Sequence, residues 1–429
     1  MILIENGYVI DPKSGMEGNY DILIRGNQIL RMEKKLRESL TSEELQLSRV
    51  IDAQGLLIAP GLVDVHVHFR DPGYTHKEDI YSGAAAAAAG GFTTVVMMAN
   101  TAPVMDQPMM VQEMTYRVEK LPIHIKVCAA VSKGLRGEEL TDQEALSQSG
   151  AIGFSDDGHA VMSKALLEEA MRHSAKLDMP ISLHEEDASL IQENGIHHGP
   201  VSEHYEVFGA PREAESSLIA RDLEMAKRLQ ATINIQHIST KEGVELVREA
   251  KKKNFRIHAE ATPHHFSLTQ DALIHYGSVA KVNPPLREES DRQAVIAGIV
   301  DKTIDIIATD HAPHAVDEKS LPLTEAPSGM IGLETALSLG MTELVNQGYL
   351  TMKSLLERMS TNPATMYRLD AGYLQEGGPA DLILIDTAAT WEPTDYRSKS
   401  SNTPFSGMSL QGKVRMTICR GVIIYQDET

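Results

Sequence analysis

The chain has 429 residues and a formal net charge of −20, with 42% hydrophobic and 23% charged residues. This composition is ordinary for a globular protein, and the length suits one barrel of about 250 residues plus a smaller domain. Because so acidic a chain is repelled by other polyanions, nucleic acid and anionic membranes are not expected as partners.

The two ends of the chain have strand-like patterns. Residues 1–57 and the C-terminal runs ADLILID, KVRMTICRG and VIIYQ contain short apolar stretches separated by Gly, Asn and Asp. The first residues, MILIENGYVIDP, indicate a strand and a turn rather than a signal peptide. Because neither end is long enough for a stable domain, we expect residues 1–57 and 375–429 to form one small composite β-domain beside a barrel of residues 58–374.

The middle of the chain alternates between strand and helix patterns. Eight strand candidates follow one another: LVDVHVHF, FTTVVMMA, IHIKVCAAV, AIGFSDD, PISLHEE, TINIQHIS, RIHAEATP and DIIATDHAP. Helical patterns lie between most of them, for example over 163–176, 212–229 and 241–253. Eight such units predict an α/β fold, a closed (β/α)8 TIM barrel. The segments 268–302 and 314–330 are expected to be long loops on its catalytic face.

Two further features indicate where the protein works. Residues 80–105 are uncharged, but their alanine run, paired glycines and later β-branched residues predict a packed helix and a buried strand rather than a membrane span. Cys128 and Cys419 lie in apolar, strand-like runs. We expect two buried free thiols and therefore a reducing, cytoplasmic location.

Polar side chains cluster at the carboxyl ends of the predicted barrel strands. His66 and His68 end the first strand, and a spacing of two places both rings on the same face. The ends of later strands carry Asp156, Asp157, His184, His237 and Asp310. Imidazoles and carboxylates are ligands that zinc prefers. Because these strand ends meet at one face of a barrel, the pattern predicts a site for one or two zinc ions.

The chain has 17 histidines, so some of them must lie outside this site. Those in helical or loop context are expected at the surface: His173, His197, His198, His204 and His275. His264 and His265 follow the seventh strand and are candidates for contacts to the metal ligands. His311 should point away from Asp310, because neighbours on a regular strand face opposite sides.

The same residues resemble the motifs of a known family. Residues 64–72, DVHVHFRDP, look like the first metal motif of the amidohydrolase superfamily in its dihydroorotase form. Residues 309–314, TDHAPH, with Lys319 five residues on, resemble the second dihydroorotase motif. The resemblance covers essentially the whole chain, including NPPLR at 283–287 and PSG at 327–329. It implies a barrel with a composite β-domain, and reversible conversion between N-carbamoyl-L-aspartate and L-dihydroorotate in pyrimidine biosynthesis.

One position separates this chain from other cyclic amidohydrolases. Hydantoinases, dihydropyrimidinases and allantoinases carry a strand-four lysine that becomes carboxylated and bridges two metals. Strand four here reads AIGFSDD and has no lysine. The bacterial dihydroorotases that the chain resembles have an aspartate there, and the motif match selects Asp157 over Asp156. The implied ligand set is His66, His68, Asp157, His184, His237 and Asp310, around either one or two zinc ions.

Arg70 is the candidate for binding a carboxylate of the substrate. A small anionic substrate needs local positive charge in so acidic a protein, and the planar guanidinium can bind a carboxylate through two parallel hydrogen bonds. The alternative is a surface ion pair with Asp71 or Asp79. The resemblance adds further substrate contacts: His68, Asn100, Asn283, His314, Ser328 and Gly329. Without it, the two asparagines would be interpreted as loop caps.

The expected reaction is reversible attack of water on a cyclic amide carbonyl. Zinc lowers the pKa of a bound water to about 7. Asp310 is the expected catalytic residue, which takes the water proton and delivers it to the leaving ring nitrogen.

Three hypotheses follow from these observations. The first is a dihydroorotase, which the resemblance would also make a homodimer, with aspartate carbamoyltransferase as a further partner. The second is another cyclic amidohydrolase, which the missing lysine and Arg70 disfavour. The third is a non-catalytic partner of aspartate carbamoyltransferase, but such chains usually lose metal ligands and this one retains all six.

Overall fold

The computed structural model describes residues 1–253 and 256–427. Its strands, in chain order, are β1 (Ile2–Ile10), β2 (Glu17–Arg25), β3 (Gln28–Glu33), β4 (Arg49–Asp52), β5 (Leu57–Pro60), β6 (Leu62–Val67), β7 (Phe92–Met97), β8 (His124–Ala129), β9 (Ala151–Phe154), β10 (Ile181–Leu183), β11 (Ile233–Ile235), β12 (Ile257–Ala261), β13 (Ile306–Ile307), β14 (Leu382–Trp391), β15 (Leu410–Cys419) and β16 (Val422–Gln426). They form two separate sheets.

The α-helices are α1 (Ser42–Leu47), α2 (Ile80–Ala89), α3 (Pro108–Val118), α4 (Gln143–Gln148), α5 (Lys164–Leu177), α6 (Pro200–His204), α7 (Arg212–Leu229), α8 (Lys241–Lys251), α9 (Pro263–Ser267), α10 (Ala272–Tyr276), α11 (Glu289–Val300), α12 (Val316–Lys319), α13 (Ala336–Gly340), α14 (Met352–Leu356) and α15 (Asn362–Met366). Short 3₁₀ segments span Leu36–Ser39, Lys133–Leu135, Ala188–Leu190 and Gly277–Ala280. Two π-helical turns, Met341–Val345 and Glu357–Thr361, continue α13 and α14. Within the described ranges, no helix is both long and apolar enough to cross a membrane.

The second sheet is the predicted barrel. Its eight strands, β6 to β13, follow one another in chain order, and neighbouring strands pair in parallel. A parallel bridge between Val67 and His311 closes the circle, and the amide of His68 donates to the carbonyl of His311 at 2.9 Å. Because these strands are covered on both faces, their sequences are apolar runs rather than alternating patterns. The TIM-barrel prediction is confirmed, with all eight strand candidates in place.

The first sheet combines strands from both ends of the chain. Its order is β16-β15-β14-β5-β1-β2-β3, with β4 paired to β1. The junction between the two ends is the antiparallel pair β5–β14, in which Ile58 faces Leu384. The predicted association of the terminal segments is therefore present, whereas the exact domain limits stay a prediction.

The alanine-rich helix α2 lies between the barrel and the first sheet. Asp79 caps its start by accepting from the amides of Tyr81 and Ser82, and its alanines at 84 and 86–88 are buried. The hydroxyl of Thr417 on β15 donates to the carbonyl of Ala88 at 2.7 Å. Small side chains let a helix approach its neighbours closely, which accounts for the alanine run that the sequence analysis assigned to a packed helix.

The loop predictions after strands seven and eight need correction. The segment 268–302 is not one long loop, since it contains α10, a 3₁₀ turn and the twelve-residue helix α11. The segment 314–330 is mostly irregular but includes the short helix α12. Helix α11 has no clear apolar face, so its pattern did not indicate a helix that packs on the barrel.

Candidate active site

The six predicted metal ligands lie together at the carboxyl ends of the barrel strands. His66 belongs to β6, and the other ligands follow β6, β9, β10, β11 and β13 within a few residues: His68, Asp157, His184, His237 and Asp310. All six are buried. Parallel strands of one barrel end at the same face, which brings residues 66 to 310 into one cluster.

The carboxylate of Asp157 occupies the centre of this cluster. Its Oδ1 lies 3.2 Å from Nε2 of His66 and 3.5 Å from Nδ1 of His184, and its Oδ2 lies 3.3 Å from Nε2 of His68. Nε2 of His237 is 3.7 Å from the same Oδ1. One aspartate thus faces two groups of possible ligands, His66 with His68 on one side and His184 with His237 on the other.

Asp310 lies on the side of the first histidine pair. Its Oδ1 is 3.0 Å from Nε2 of His68 and 3.4 Å from Nε2 of His66. Burial alone would raise the pKa of Asp310, but the neighbouring imidazoles lower it strongly. A carboxylate that stays ionised at this position is a proton acceptor at the edge of the cavity.

Three of the histidine rings are oriented by a polar neighbour on the ring nitrogen that does not face Asp157. Nδ1 of His66 is 2.6 Å from Oε1 of Glu260, and Nε2 of His184 is 3.0 Å from Oε2 of Glu186. Nδ1 of His68 is 2.9 Å from Oδ1 of Asn100. Such contacts select the tautomer and leave the other ring nitrogen free to act as a ligand.

Glu186 and Glu260 were missed by the sequence analysis. The available signals were an acidic residue two positions after His184 and another inside the apolar strand RIHAEA. Both carboxylates are buried, where a charged group requires a partner.

The electrostatics of the cluster favour positive charge. Burial lowers the pKa of His66, but the carboxylates of Asp157, Glu260 and Asp310 raise it well above its usual range. The pKa of His184 is raised to about 10, because its contacts with Asp157 and Glu186 outweigh burial. The same negative potential would stabilise a divalent cation.

Besides the negative potential, an unsatisfied carboxylate oxygen also indicates that these residues fit a metal ion. Oδ1 of Asp157 is buried and, within the described part of the chain, accepts no hydrogen bond. An unsatisfied buried carboxylate oxygen is costly unless a cation binds it. With four imidazoles around it, the donor set is of the nitrogen and oxygen type that binds divalent transition metals.

Three residues of the site have strained backbones. The φ angles of Arg70, His237 and Asp310 are 59°, 33° and 49°. Non-glycine residues adopt such angles rarely, and each instance costs about 1–3 kcal/mol. The surrounding fold therefore imposes these conformations, as is common where side chains must be aimed at a ligand.

A cavity of about 160 Å³ opens above the cluster. Its walls include every predicted substrate contact: His68, Arg70, Asn100, Asn283, His314, Ser328 and Gly329. Five of the six predicted ligands line it: His68 together with Asp157, His184, His237 and Asp310. A volume of this size suits a single small ring compound rather than a polymer.

The guanidinium of Arg70 has no carboxylate partner among the described residues. Asp71 instead forms a two-point ion pair with Arg117, and Asp79 pairs with Lys399. Nε of Arg70 donates to the carbonyl of Pro313 at 3.2 Å. The alternative of a surface ion pair with Asp71 or Asp79 is therefore wrong.

The tautomer of His314 leaves Arg70 with a free donor. Burial and the charges of Arg70, Lys319 and Lys77 lower the pKa of His314 to about 2, so its ring is neutral. Its Nε2 lies 2.9 Å from the carbonyl oxygen of Ser328, which only accepts, so Nε2 carries the proton. Nη2 of Arg70, 3.3 Å from that protonated nitrogen, cannot donate to it. Its hydrogens remain available to an anion in the cavity.

Asp156 faces away from the cluster. Its Oδ1 accepts from the amides of Val131 and Ser132 at 2.7 and 3.0 Å. The side chains of Asp156 and Asp157 therefore point in opposite directions, as predicted. Asp156 binds backbone amides of the loop that follows β8.

The other histidines differ partly from expectation. His311 points away from the cavity, as predicted, and contacts Glu78 at 3.3 Å. His264 and His265 are buried beside the site. His197 is not at the surface: its side chain is buried, and Nδ1 lies 3.0 Å from Nη1 of Arg287. The segment around His197 pairs with Ala210 and contacts Arg287 from a distant part of the chain, a tertiary contact that local sequence does not indicate.

Comparison with known proteins agrees with this geometry. A family model described as "Dihydro-orotase-like" matches residues 55–243. Proteins named "Dihydroorotase" from Clostridium acetobutylicum and Clostridioides difficile are each 47% identical, over 433 and 425 residues. The first alignment covers 100% of both chains, and the second covers 99% of this chain and 100% of the relative.

Solved structures of proteins with other names have the same fold. An L-hydantoinase (dihydropyrimidinase) from Arthrobacter aurescens superposes with a TM-score of 0.88 at 24% identity, covering 99% of this chain and 96% of the other. A dihydropyrimidinase from Brevibacillus agri gives 0.85 at 20%, covering 100% and 95%. At such identities the likeness concerns the fold alone. The sequence relatives, full-length and nearly half identical, decide the family: this chain belongs to the dihydroorotases and is a cyclic amide hydrolase.

Proposed function

We propose that this chain interconverts L-dihydroorotate and N-carbamoyl-L-aspartate in pyrimidine biosynthesis. The observation that carries the proposal is the guanidinium of Arg70, which reaches the wall of the cavity without a carboxylate partner among the described residues. A partly buried cation beside a possible metal cluster is unfavourable unless an anion pairs with it. Dihydroorotate differs from dihydrouracil by a ring carboxylate, which supplies that anion.

The residues that line the cavity with Arg70 support a small, polar substrate. Asn100 and Asn283 line the cavity, and Oδ1 of Asn283 is buried without a protein donor in the described ranges. A ring N–H of the substrate would satisfy it. The proposed contacts are His68, Arg70, Asn100, Asn283 and His314 with the Ser328–Gly329 backbone.

We propose zinc, as one or two ions, held by His66, His68, Asp157, His184, His237 and Asp310. When bound, zinc supplies Lewis acidity and lowers the pKa of a water molecule. The central place of Asp157 supports two positions that share this carboxylate, each with a histidine pair.

Asp310 is the proposed acid–base residue. In ring opening its carboxylate accepts a proton from the attacking water, the amide carbon gains the hydroxyl group, and the C–N bond breaks. Asp310 then returns the proton to the departing ring nitrogen. A general base must be ionised before attack, and an aspartate carboxylate is ionised at neutral pH.

The proposed assembly follows from family resemblance, whereas the location follows from the two free thiols and the domain limits follow from the strand patterns of the chain ends. We propose a cytoplasmic homodimer, with aspartate carbamoyltransferase as a partner, and a composite β-domain of residues 1–57 and 375–429 beside the barrel of 58–374. Mass measurement in solution, with and without that enzyme, tests the assembly.

The direct test of the proposed activity is a substrate panel. Purified protein is assayed with L-dihydroorotate, hydantoin and allantoin, and the metal content of the same sample is measured. We expect turnover of dihydroorotate, little turnover of the other two, and stoichiometric zinc. Preferential hydrolysis of hydantoin or allantoin would assign the protein to another cyclic amidohydrolase activity. Absence of turnover at full metal occupancy would favour the non-catalytic partner.

A further inference from the structure

Lys319 is a buried cation with no role in the reaction described above. It ends α12, in the segment that follows the eighth barrel strand, and is 6% exposed. Its Nζ donates to the carbonyls of Pro327 and Gly329 at 2.8 and 2.9 Å, and reaches the carbonyl of Lys281 at 3.5 Å. Within the residues that the structure describes, no carboxylate pairs with it. Burial and the charge of Lys281 lower its pKa to about 7.

A second buried lysine lies beside it. Nζ of Lys281 contacts Oε1 of Glu193 at 3.1 Å and donates to the carbonyl of Leu323 at 2.8 Å. The carbonyl of Lys281 also accepts from the amide of Gly329 at 2.8 Å. The two lysines thus join three loop segments, around 193, 281 and 319–329, by contacts largely to backbone atoms.

These segments form one wall of the substrate cavity. Ser328 and Gly329 line it directly, and Asn283 is two residues beyond Lys281. The φ angle of Gly329 is 132°, and an added Cβ would lie 2.8 Å from Cβ of Ala312 and 3.0 Å from Nε2 of His314. This wall is therefore closely packed, and Lys319 holds the carbonyls on both sides of Ser328.

The charge of Lys319 also reaches the cavity. It is one of the cations that lower the pKa of His314, together with Arg70 and Lys77. In a protein with a net charge of −20, this local group of cations opposes the long-range repulsion of an anionic substrate.

We propose that Lys319 is a positioning residue for the anionic substrate: it fixes the Ser328–Gly329 wall and adds positive potential beside Arg70. This inference rests on the proposed dihydroorotase function. Lys319 contacts neither the metal ligands nor Asp310 in the structure, so it should govern substrate affinity rather than the chemical step.

The test is Lys319→Met, with Lys251→Met as the matched control. Lys251 also binds backbone carbonyls, those of Lys302 and Thr303, and it pairs with Asp305 as well, but it lies at the opposite end of the barrel, before β13. For Lys319→Met we expect KM for dihydroorotate to rise by at least about tenfold, the loss typical of removed charge-assisted hydrogen bonds. The value of kcat should change by less than about threefold and the metal content should not change. Lys251→Met should leave KM unaltered.

The outcomes separate this inference from the function on which it rests. If Lys319→Met does not fold, Lys319→Gln, which keeps a donor and loses the charge, is held to the same limits on KM, kcat and metal content. A folded variant with wild-type KM would overturn the positioning role, as would a fall in kcat and metal content at constant KM. A wild-type protein without dihydroorotate turnover would instead refute the proposed function.

Discussion

At the scale of single residues, Asp156 and Asp157 show how adjacent carboxylates acquire different tasks. Asp157 faces three imidazoles within 3.5 Å, whereas Asp156 accepts hydrogen bonds from Val131 and Ser132. Burial raises the pKa of Asp156 to about 6, although its hydrogen bonds with Ser132 and Val131 act in the opposite direction. One carboxylate therefore belongs to the proposed metal site, and the other belongs to the scaffold.

We expect substitution of the two aspartates to affect different properties: metal content for Asp157 and stability for Asp156. Asp157→Ala should lower bound metal strongly, because both histidine pairs lose the carboxylate they share. Asp156→Ala should keep its metal but lose about 2–4 kcal/mol of unfolding free energy, since two buried amides lose their acceptor. Elemental analysis and denaturant titration of both variants check this. Greater metal loss in Asp156→Ala would contradict the assignment.

The clustering of the six proposed ligands was predictable at this scale, and the residues that orient them were not. His66, His68 and Asp310 carry a local signal, a polar residue at the end of an apolar strand. The roles of Glu186 and Glu260 depend on which ring nitrogen each histidine turns inward. That orientation is a property of the assembled barrel rather than of any one strand.

At the scale of elements, the strands were predicted well because barrel strands are buried on both faces. Helix α7 was predicted with its observed bounds, Arg212–Leu229, from its long periodic pattern. Helix α11 was taken for loop because apolar residues such as Val300 lie on its exposed face as well, so the sequence shows no contrast between a buried and an exposed face. Its place against the barrel is decided by tertiary packing.

Gly329 provides a test of the cavity wall at the level of this segment. Gly329→Ala places a methyl group against Ala312 and His314 in a backbone conformation that favours glycine. We expect KM for dihydroorotate to rise by about tenfold or more, with metal content unchanged, as steady-state kinetics and elemental analysis would show. Gly277→Ala is the control: its φ is 61° and nothing lies within 4 Å of an added Cβ. Equal KM values in both variants would contradict the packed wall.

At the scale of the whole molecule, one face of the first sheet packs into the hydrophobic core of the barrel, while its other face carries a separate apolar cluster. Ile383 and Ile385 of β14 and Val414 of β15 are buried in the same cluster as the barrel residues. The pairing of the terminal strands was predictable because neither end suffices alone. Their packing on α2 was not, since it depends on how the closed barrel presents that helix.

The shared core predicts a single unfolding transition. Trp391, the one tryptophan of the chain, lies on β14 and its Nε1 donates to the carbonyl of Gly412 at 2.9 Å. Its fluorescence therefore reports on the first sheet, whereas far-ultraviolet circular dichroism is dominated by the helices around the barrel. We expect both signals to change at the same denaturant concentration. An earlier fluorescence transition would mean that the sheet unfolds independently.

In the proposed function, the cavity recognises a carboxylated ring through Arg70. The most direct measurement compares kcat/KM for L-dihydroorotate and for dihydrouracil, which lacks the carboxylate, in wild type and in Arg70→Met. Wild type should strongly prefer dihydroorotate. Arg70→Met should lose about one to two orders of magnitude on dihydroorotate, the loss expected when a charged group is left unpaired. Its zinc content should be nearly unchanged, because Arg70 contacts none of the proposed metal ligands. Its low activity on dihydrouracil should also be nearly unchanged, because that compound has no carboxylate for Arg70 to bind. Equal hydrolysis of the two compounds by wild type would contradict the account and favour a dihydropyrimidinase.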